Sequence, residues 1–277
     1  MPIITISRGT MSGGRALAEL VARALGCACI AREVLIEAAA KLGISEESLQ
    51  ERMERSPGLF GRLTRERRMY AIACQAALAE RAVQGDLVYH GLAGHLLLND
   101  VPEVLRVRLI APVEMRVRAL MEERSMSRDD ARRYIEKVDA QRAKWTRLMY
   151  DADIDDLRLY DVVLNLEKTT VESACEAVLA LARRPEYSLD AAARVRLRDF
   201  ALASRVQLSL ETHPASRGLG LETSARGGVV TLTGSLPQVE FLPAANELLL
   251  AELSGIVERV PGVEKVVLDV RPFAGDQ

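Results

Sequence analysis

A glycine-spaced loop set between an apolar strand and a helix constrains this chain more than any other feature. Ile3–Ser7 (IITIS) is a short β-branched run, Gly9-Thr-Met-Ser-Gly-Gly14 follows it, and Arg15–Leu25 reads as a helix. Glycines let the backbone curl until consecutive N–H groups point inward, and the helix starting there adds the partial positive charge of its N-terminus. Such a loop holds an anion, and the G-x-x-x-x-G spacing suits a chain of phosphates. Arg15 stands where lysine is usual, and Ala16 stands where a serine or threonine hydroxyl is usual. Two glycines at this spacing also arise by chance, so the strand before and the helix after carry the signal. The competing reading is a tight strand-to-helix turn without a ligand.

Strands and helices alternate beyond the loop. Strands are expected at Leu87–His90, Val104–Ile110 and Val162–Leu164. Helices are expected at Glu33–Leu42, Ser45–Glu54, Leu59–Ala82, Pro112–Glu123, Ser127–Tyr150 and Val171–Ala182. That alternation implies an α/β fold, a parallel sheet flanked by helices. Proline and polar residues break the pattern at Arg183–Asp190 (RRPEYSLD). A helix at Ala191–Ala203, strands at Val206–Leu210 and Val229–Thr233, a helix at Leu242–Val257 and a strand at Val263–Val270 then form a small α+β unit of order αββαβ. The expected domains are therefore 1–185 and 191–272, each folding by itself, with nucleotide binding wholly in the first.

The first of these resembles a known family. ISRGTMSGGRALAELVARALG, LVYHGLAGHLLL (Leu87–Leu98), RVRLIAPVEMRVRAL (Arg106–Leu120), VDAQRAKW (Val138–Trp145) and LYDVVLNLEKTTVESACEAVL (Leu159–Leu179) stand in the order seen in the bacterial cytidylate kinase-like proteins. The resemblance covers about 1–183. It implies a P-loop NTPase-type fold of the nucleoside-monophosphate-kinase kind, with ATP and Mg²⁺ as cofactors and a nucleoside monophosphate as acceptor. It places Gly9, Thr10, Met11, Ser12, Gly13, Gly14, Arg15 and Ala16 around the ATP phosphates. Arg15, Arg116, Asp139 and Arg142 become the catalytic candidates. Arg142 would close over the transferring phosphoryl group, and Asp139, three residues earlier on one helix, would steady it. The sequence departs from the family at Leu92, where an arginine usually follows Gly91, and at Ala31, where an acid usually precedes Arg32. Ala16 offers magnesium no hydroxyl, and the metal ligands stay unassigned. Those departures keep open a turnover-deficient nucleotide-binding sensor beside an active kinase.

Val229-Val-Thr-Leu-Thr-Gly-Ser-Leu236 and Val260-Pro-Gly-Val-Glu-Lys-Val-Val267 resemble the BON domain, a small bacterial module. That resemblance, over about 195–271, implies an accessory binding unit for membranes or hydrophobic ligands, with no catalysis.

Charge and composition exclude other classes. A formal net charge of −2 argues against holding nucleic acid by charge alone. Four cysteines without Cys-x-x-Cys spacing and three histidines point to neither a zinc site nor a disulfide framework. His90 and His95, five apart, share no helical face and read as structural. The N-terminus lacks the charged start and apolar stretch of a secretion signal, and no apolar run approaches the roughly 20 residues of a membrane helix. The chain is expected in the cytoplasm.

Overall fold

The computed structural model describes residues 2–40, 43, 60–237 and 243–273. The expected helix at Ser45–Glu54 lies outside them. The chain divides into two compact units, one of residues 1–37 and 84–190 and one of residues 38–83 and 191–277.

The first unit is built on five parallel strands: β1 (Ile3–Arg8), β2 (Ala28–Ala31), β3 (Leu87–His90), β4 (Val104–Ile110) and β5 (Val162–Asn165). Their order is β2-β3-β1-β4-β5. β1 is central, and residues 2–7 are all buried, as a strand covered on both faces requires. Ile4, Ile6, Val88, Leu105, Val107 and Leu109 pack against helices on one face. Those helices are α1 (Gly14–Leu25), through Leu17 and Val21, and Val171–Ala182, through Ala174 and Val178. Each of the larger side chains adds about 1.5–3 kcal/mol of burial. β1 is flanked by β3 on one side and β4 on the other, so the chain leaves the central strand in opposite directions. A crevice opens at the carboxyl ends of the strands where that happens, which is where open α/β sheets bind ligands.

β2 has no counterpart among the expected strands. Its four residues, Ala-Cys-Ile-Ala, carry little strand preference and take their register from β3 alone.

The second unit holds a three-stranded sheet, β6 (Glu222–Arg226), β7 (Val229–Pro237) and β8 (Lys265–Phe273), in that order. β6 and β7 are antiparallel, and β7 and β8 are parallel. The order αββαβ is as read from sequence, but its first strand is not. Val206–Leu210 continues the helix Ala191–Thr212, because Leu202, Val206 and Leu210 recur at helical spacing and all three are buried. The strand comes instead at Glu222–Arg226, an edge segment with a single apolar residue, held by its ladder to β7.

The partition also differs from the expected boundary at 185. The long helix Phe60–Gln84 belongs chiefly with the C-terminal unit. Arg68 pairs with the buried Glu211 at 2.9 Å and donates to the Leu221 carbonyl at 3.1 Å, and Glu80 pairs with Arg205 at 2.5 Å. Among the described residues no helix is long and apolar enough to cross a membrane.

A chain ending after Asp190 would strip that helix of Glu211, Leu221 and Arg205 together. It is expected to melt several degrees below the full chain or to aggregate, since even about 1 kcal/mol moves a domain of this size by a few degrees. A fragment melting at the full-length temperature would show that residues 38–83 do not depend on the C-terminal unit.

Candidate active site

β1 ends at Arg8 and α1 begins at Gly14, so residues 9–13 must turn the chain from strand to helix above the crevice. Gly13 does so with φ 78°, a region open to glycine. Met11 takes φ 60° without that freedom, at a cost of about 1–2 kcal/mol. Its side chain packs on Val117, Leu120, Ala131 and Ile135, the apolar seam between the helices Val113–Arg124 and Arg128–Tyr150. The buried Ser12 hydroxyl donates to the Gly9 carbonyl at 2.9 Å and closes the loop from within.

Those two helices converge on Thr10. Its N–H donates to Asp139 Oδ1 (3.0 Å), its carbonyl accepts from Arg116 Nε (2.7 Å), and its hydroxyl accepts from Arg142 Nη1 (3.0 Å). Arg116 also forms an ion pair with Asp139 Oδ2. Its guanidinium lies so close to Gly9 that an added Cβ there would stand 3.3 Å from Arg116 Cζ. Asp139 was expected to steady Arg142, yet it serves Arg116. Arg116 is the buried cation of the two helices' pair, and leaving it unpaired would cost more than leaving Arg142 without a carboxylate. Burial by itself raises the Asp139 pKa, but the bonds from Thr10 and Arg116 and the charge of Arg116 outweigh it and hold the carboxyl below its ordinary value.

Two cavities open at this edge of the sheet. The larger, about 220 Å³, is bounded by Gly9, Arg108, Ile110, Arg116, Asp139 and Asp155 among others. The smaller, about 130 Å³, is bounded by Ala31, Arg32, Glu33, His90, Gly91 and Leu92. Arg8 and Arg142 line both. Arg108, inside the apolar strand β4, donates to Ser7 Oγ at 3.1 Å and pairs with Asp155 at 2.8 Å. Burial, and then the charge of Arg8, brings the Arg142 pKa down to about 10, which leaves it a cation at neutral pH.

Of the residues singled out from sequence, the structure brings Gly9, Thr10, Arg116, Asp139 and Arg142 together. Met11, Ser12, Gly13 and Gly14 complete the loop. Arg15 is not turned inward: its side chain is 78% exposed and pairs with Glu19 one helical turn on, at 2.7 Å. Ala16 is exposed on the same helix. His95 is buried against the Tyr160 ring, and burial, then Arg108 and Arg106, pushes its pKa down to about 3, so it is neutral. His90 is pushed down by burial and by Arg8, and stands neutral on the wall of the smaller cavity.

Sequence reasoning missed Arg8 and Arg108. The available signal was a charge at the end of the β-branched β1 and inside the mostly apolar β4, placements that need a reason. It also left Gly91 and Gly94 without a role. A Cβ at either would run into the side chain of Tyr89, whose hydroxyl donates to the Leu92 carbonyl at 3.1 Å.

A parallel sheet in this order, with a glycine loop between its central strand and the next helix, defines an α/β protein of the P-loop kinase type. Residues 3–168 match the model of the cytidylate kinase-like family, and the chain belongs to that family. It is 34% identical to the cytidylate kinase of Methanosarcina barkeri (strain Fusaro / DSM 804) over 129 residues, 40% of this chain and 70% of that protein. It is 26% identical to the cytidylate kinase of Methanothermobacter thermautotrophicus over 174 residues, 62% of this chain and 99% of that protein. The crystal structure of an uncharacterized protein from Eubacterium ventriosum ATCC 27560 matches with a TM-score of 0.53 at 19% identity, over 66% of this chain and all of that one, a likeness of fold. The family and these cytidylate kinases support a nucleotide kinase.

Because the Asp139 pKa is depressed in the folded state, its stabilisation is complete above the unfolded value of about 4 and is lost as pH falls through the folded value. Asp139→Asn is expected to cost about 2 kcal/mol at pH 7, and the gap to the parent should close below about pH 4. Urea melts across pH 2–7 check this. A gap that stays constant with pH would show that the carboxylate charge does not clamp Thr10.

Proposed function

We propose that the protein transfers the γ-phosphoryl group of ATP to a nucleoside monophosphate, with cytidylate the first acceptor to test. The observation that carries this reading is the pair of cavities beside one glycine loop, with Arg8 and Arg142 on the walls of both. The loop and the larger cavity take the donor phosphates, and the smaller cavity takes the acceptor. Transfer of a phosphoryl group needs positioned cations more than covalent chemistry, and arginine-rich walls supply them.

Magnesium bound with ATP would neutralise phosphate charge. The residues present fit it as an ion held largely by phosphates and water, since Ser12 is hydrogen-bonded within the loop and Ala16 has no ligand atom. Asp139 and Asp155 are the carboxylates on the larger cavity. Among the described residues, no three His, Cys, Asp or Glu side chains form a metal cluster. We assign the C-terminal αββαβ unit a binding role as a BON-like accessory module without chemistry, on its two sequence motifs and its element order.

The test is ADP formation by the full chain with ATP and a panel of nucleoside monophosphates. Turnover with one of them is expected. ATP binding without turnover on any acceptor would favour a sensor, in line with Leu92 and Ala31 on the smaller cavity. Arg142→Ala should lower kcat by about 100-fold or more while changing ATP affinity much less, because its contact is assigned to the transition state. A loss confined to ATP affinity would remove Arg142 from the transferring group.

A further inference from the structure

The wall shared by the two cavities carries a charge that no described carboxylate pairs with directly. The Arg8 side chain makes neither an ion pair nor a hydrogen bond among the described residues, and its Nε is buried with no partner. The charged and titratable groups coupled to it are Glu33, Tyr89, Arg15 and, through mutual repulsion, Arg142 and the protonated form of His90. Glu33 is exposed and attracts the Arg8 charge from a distance, with no ion pair joining the two among the described residues. A partly buried guanidinium without a counterion costs stability, so the fold keeps it against its own interest unless an anion arrives. The neighbouring arginines are engaged elsewhere: Arg108 with Asp155, Arg116 with Asp139, Arg142 with Thr10 and Arg15 with Glu19.

The path of Arg8 is built into the loop. Its aliphatic stem lies across Gly14, where an added Cβ would collide with Arg8 Cβ, Cγ and Cδ. Glycine at 14 therefore admits the Arg8 side chain as well as starting the helix.

We propose that Arg8 is a catalytic residue whose guanidinium meets the transferring phosphoryl group where the two cavities adjoin, taking the role the sequence pattern gives to Arg15. The inference rests on the kinase reading above. An anionic oxygen of the acceptor phosphate attacks the γ-phosphorus, the bond to the β,γ-bridging oxygen breaks, and its electron pair leaves with ADP. No oxidant and no general base is required. Arg8 and Arg142 donate to the oxygens on which charge is redistributed, from either side of the junction.

Full-length Arg8→Met and Arg8→Lys variants test this by turnover and by thermal melts with inorganic tripolyphosphate. Arg8→Met is expected to lower kcat by about 100-fold or more, with a much smaller change in the KM for ATP. Arg8→Lys should recover part of the loss, and Arg15→Met should cost less than Arg8→Met. Without ligand, Arg8→Met should melt at or above the parent temperature, because an uncompensated charge is gone. With tripolyphosphate the parent should gain more stability than the variant. A variant that melts well below the parent, retains its turnover, or costs less than Arg15→Met overturns the proposal. If the parent transfers to no acceptor while Arg8→Met still abolishes the tripolyphosphate effect, the kinase reading fails and the anion contact of Arg8 stands.

Discussion

Thr10 is held at all three of its polar groups by side chains that arrive more than a hundred residues later in the chain. Asp139 takes its N–H, Arg116 its carbonyl and Arg142 its hydroxyl. The loop needs this. Met11 sits in a left-handed conformation that would relax if its neighbours were free, and the packing of Met11 on the two-helix seam supplies the second anchor. Strain of that kind persists only where the surroundings over-determine it, and here the surroundings are the same two helices that bring Arg116 and Arg142 to the crevice.

This coupling explains the division of labour among the arginines. Arg116 and Arg108 are buried and carry carboxylate partners, so they act as struts. Among the described residues Arg8 and Arg142 carry no such partner, and they line the two cavities. Low-dielectric surroundings make a positive charge strong toward an incoming phosphate and costly without one. On the proposed reading, stability is given up at the place where a substrate phosphate would bind.

The strand, loop and first helix were legible in sequence because each depends on local chemistry: a β-branched run, then glycine spacing, then helical periodicity. The alternation of the remaining elements gave the parallel sheet for the same reason. What depended on tertiary context was not legible. β2 and β6 are short strands that exist because a neighbour supplies their hydrogen bonds, and Val206–Leu210 satisfies both a strand and a helix period until its burial is known. At the site, the family resemblance and the three-residue spacing of Asp139 and Arg142 pointed to Arg116, Asp139 and Arg142. Neither could show that Asp139 would choose Arg116 over Arg142, that Arg15 would turn outward to Glu19, or that Arg8 would cross Gly14. Those outcomes follow from burial and from competition between partners.

The central claim is that the two cavities form one continuous site for donor and acceptor phosphates. Calorimetric titration of the full chain with a bisubstrate analogue, adenosine joined to cytidine through a polyphosphate bridge, tests it most directly. Occupying both cavities with one molecule makes the second contact intramolecular, so the analogue should bind with a stoichiometry of one and at least about tenfold more tightly than ATP. An affinity no better than that of ATP would contradict a joined site.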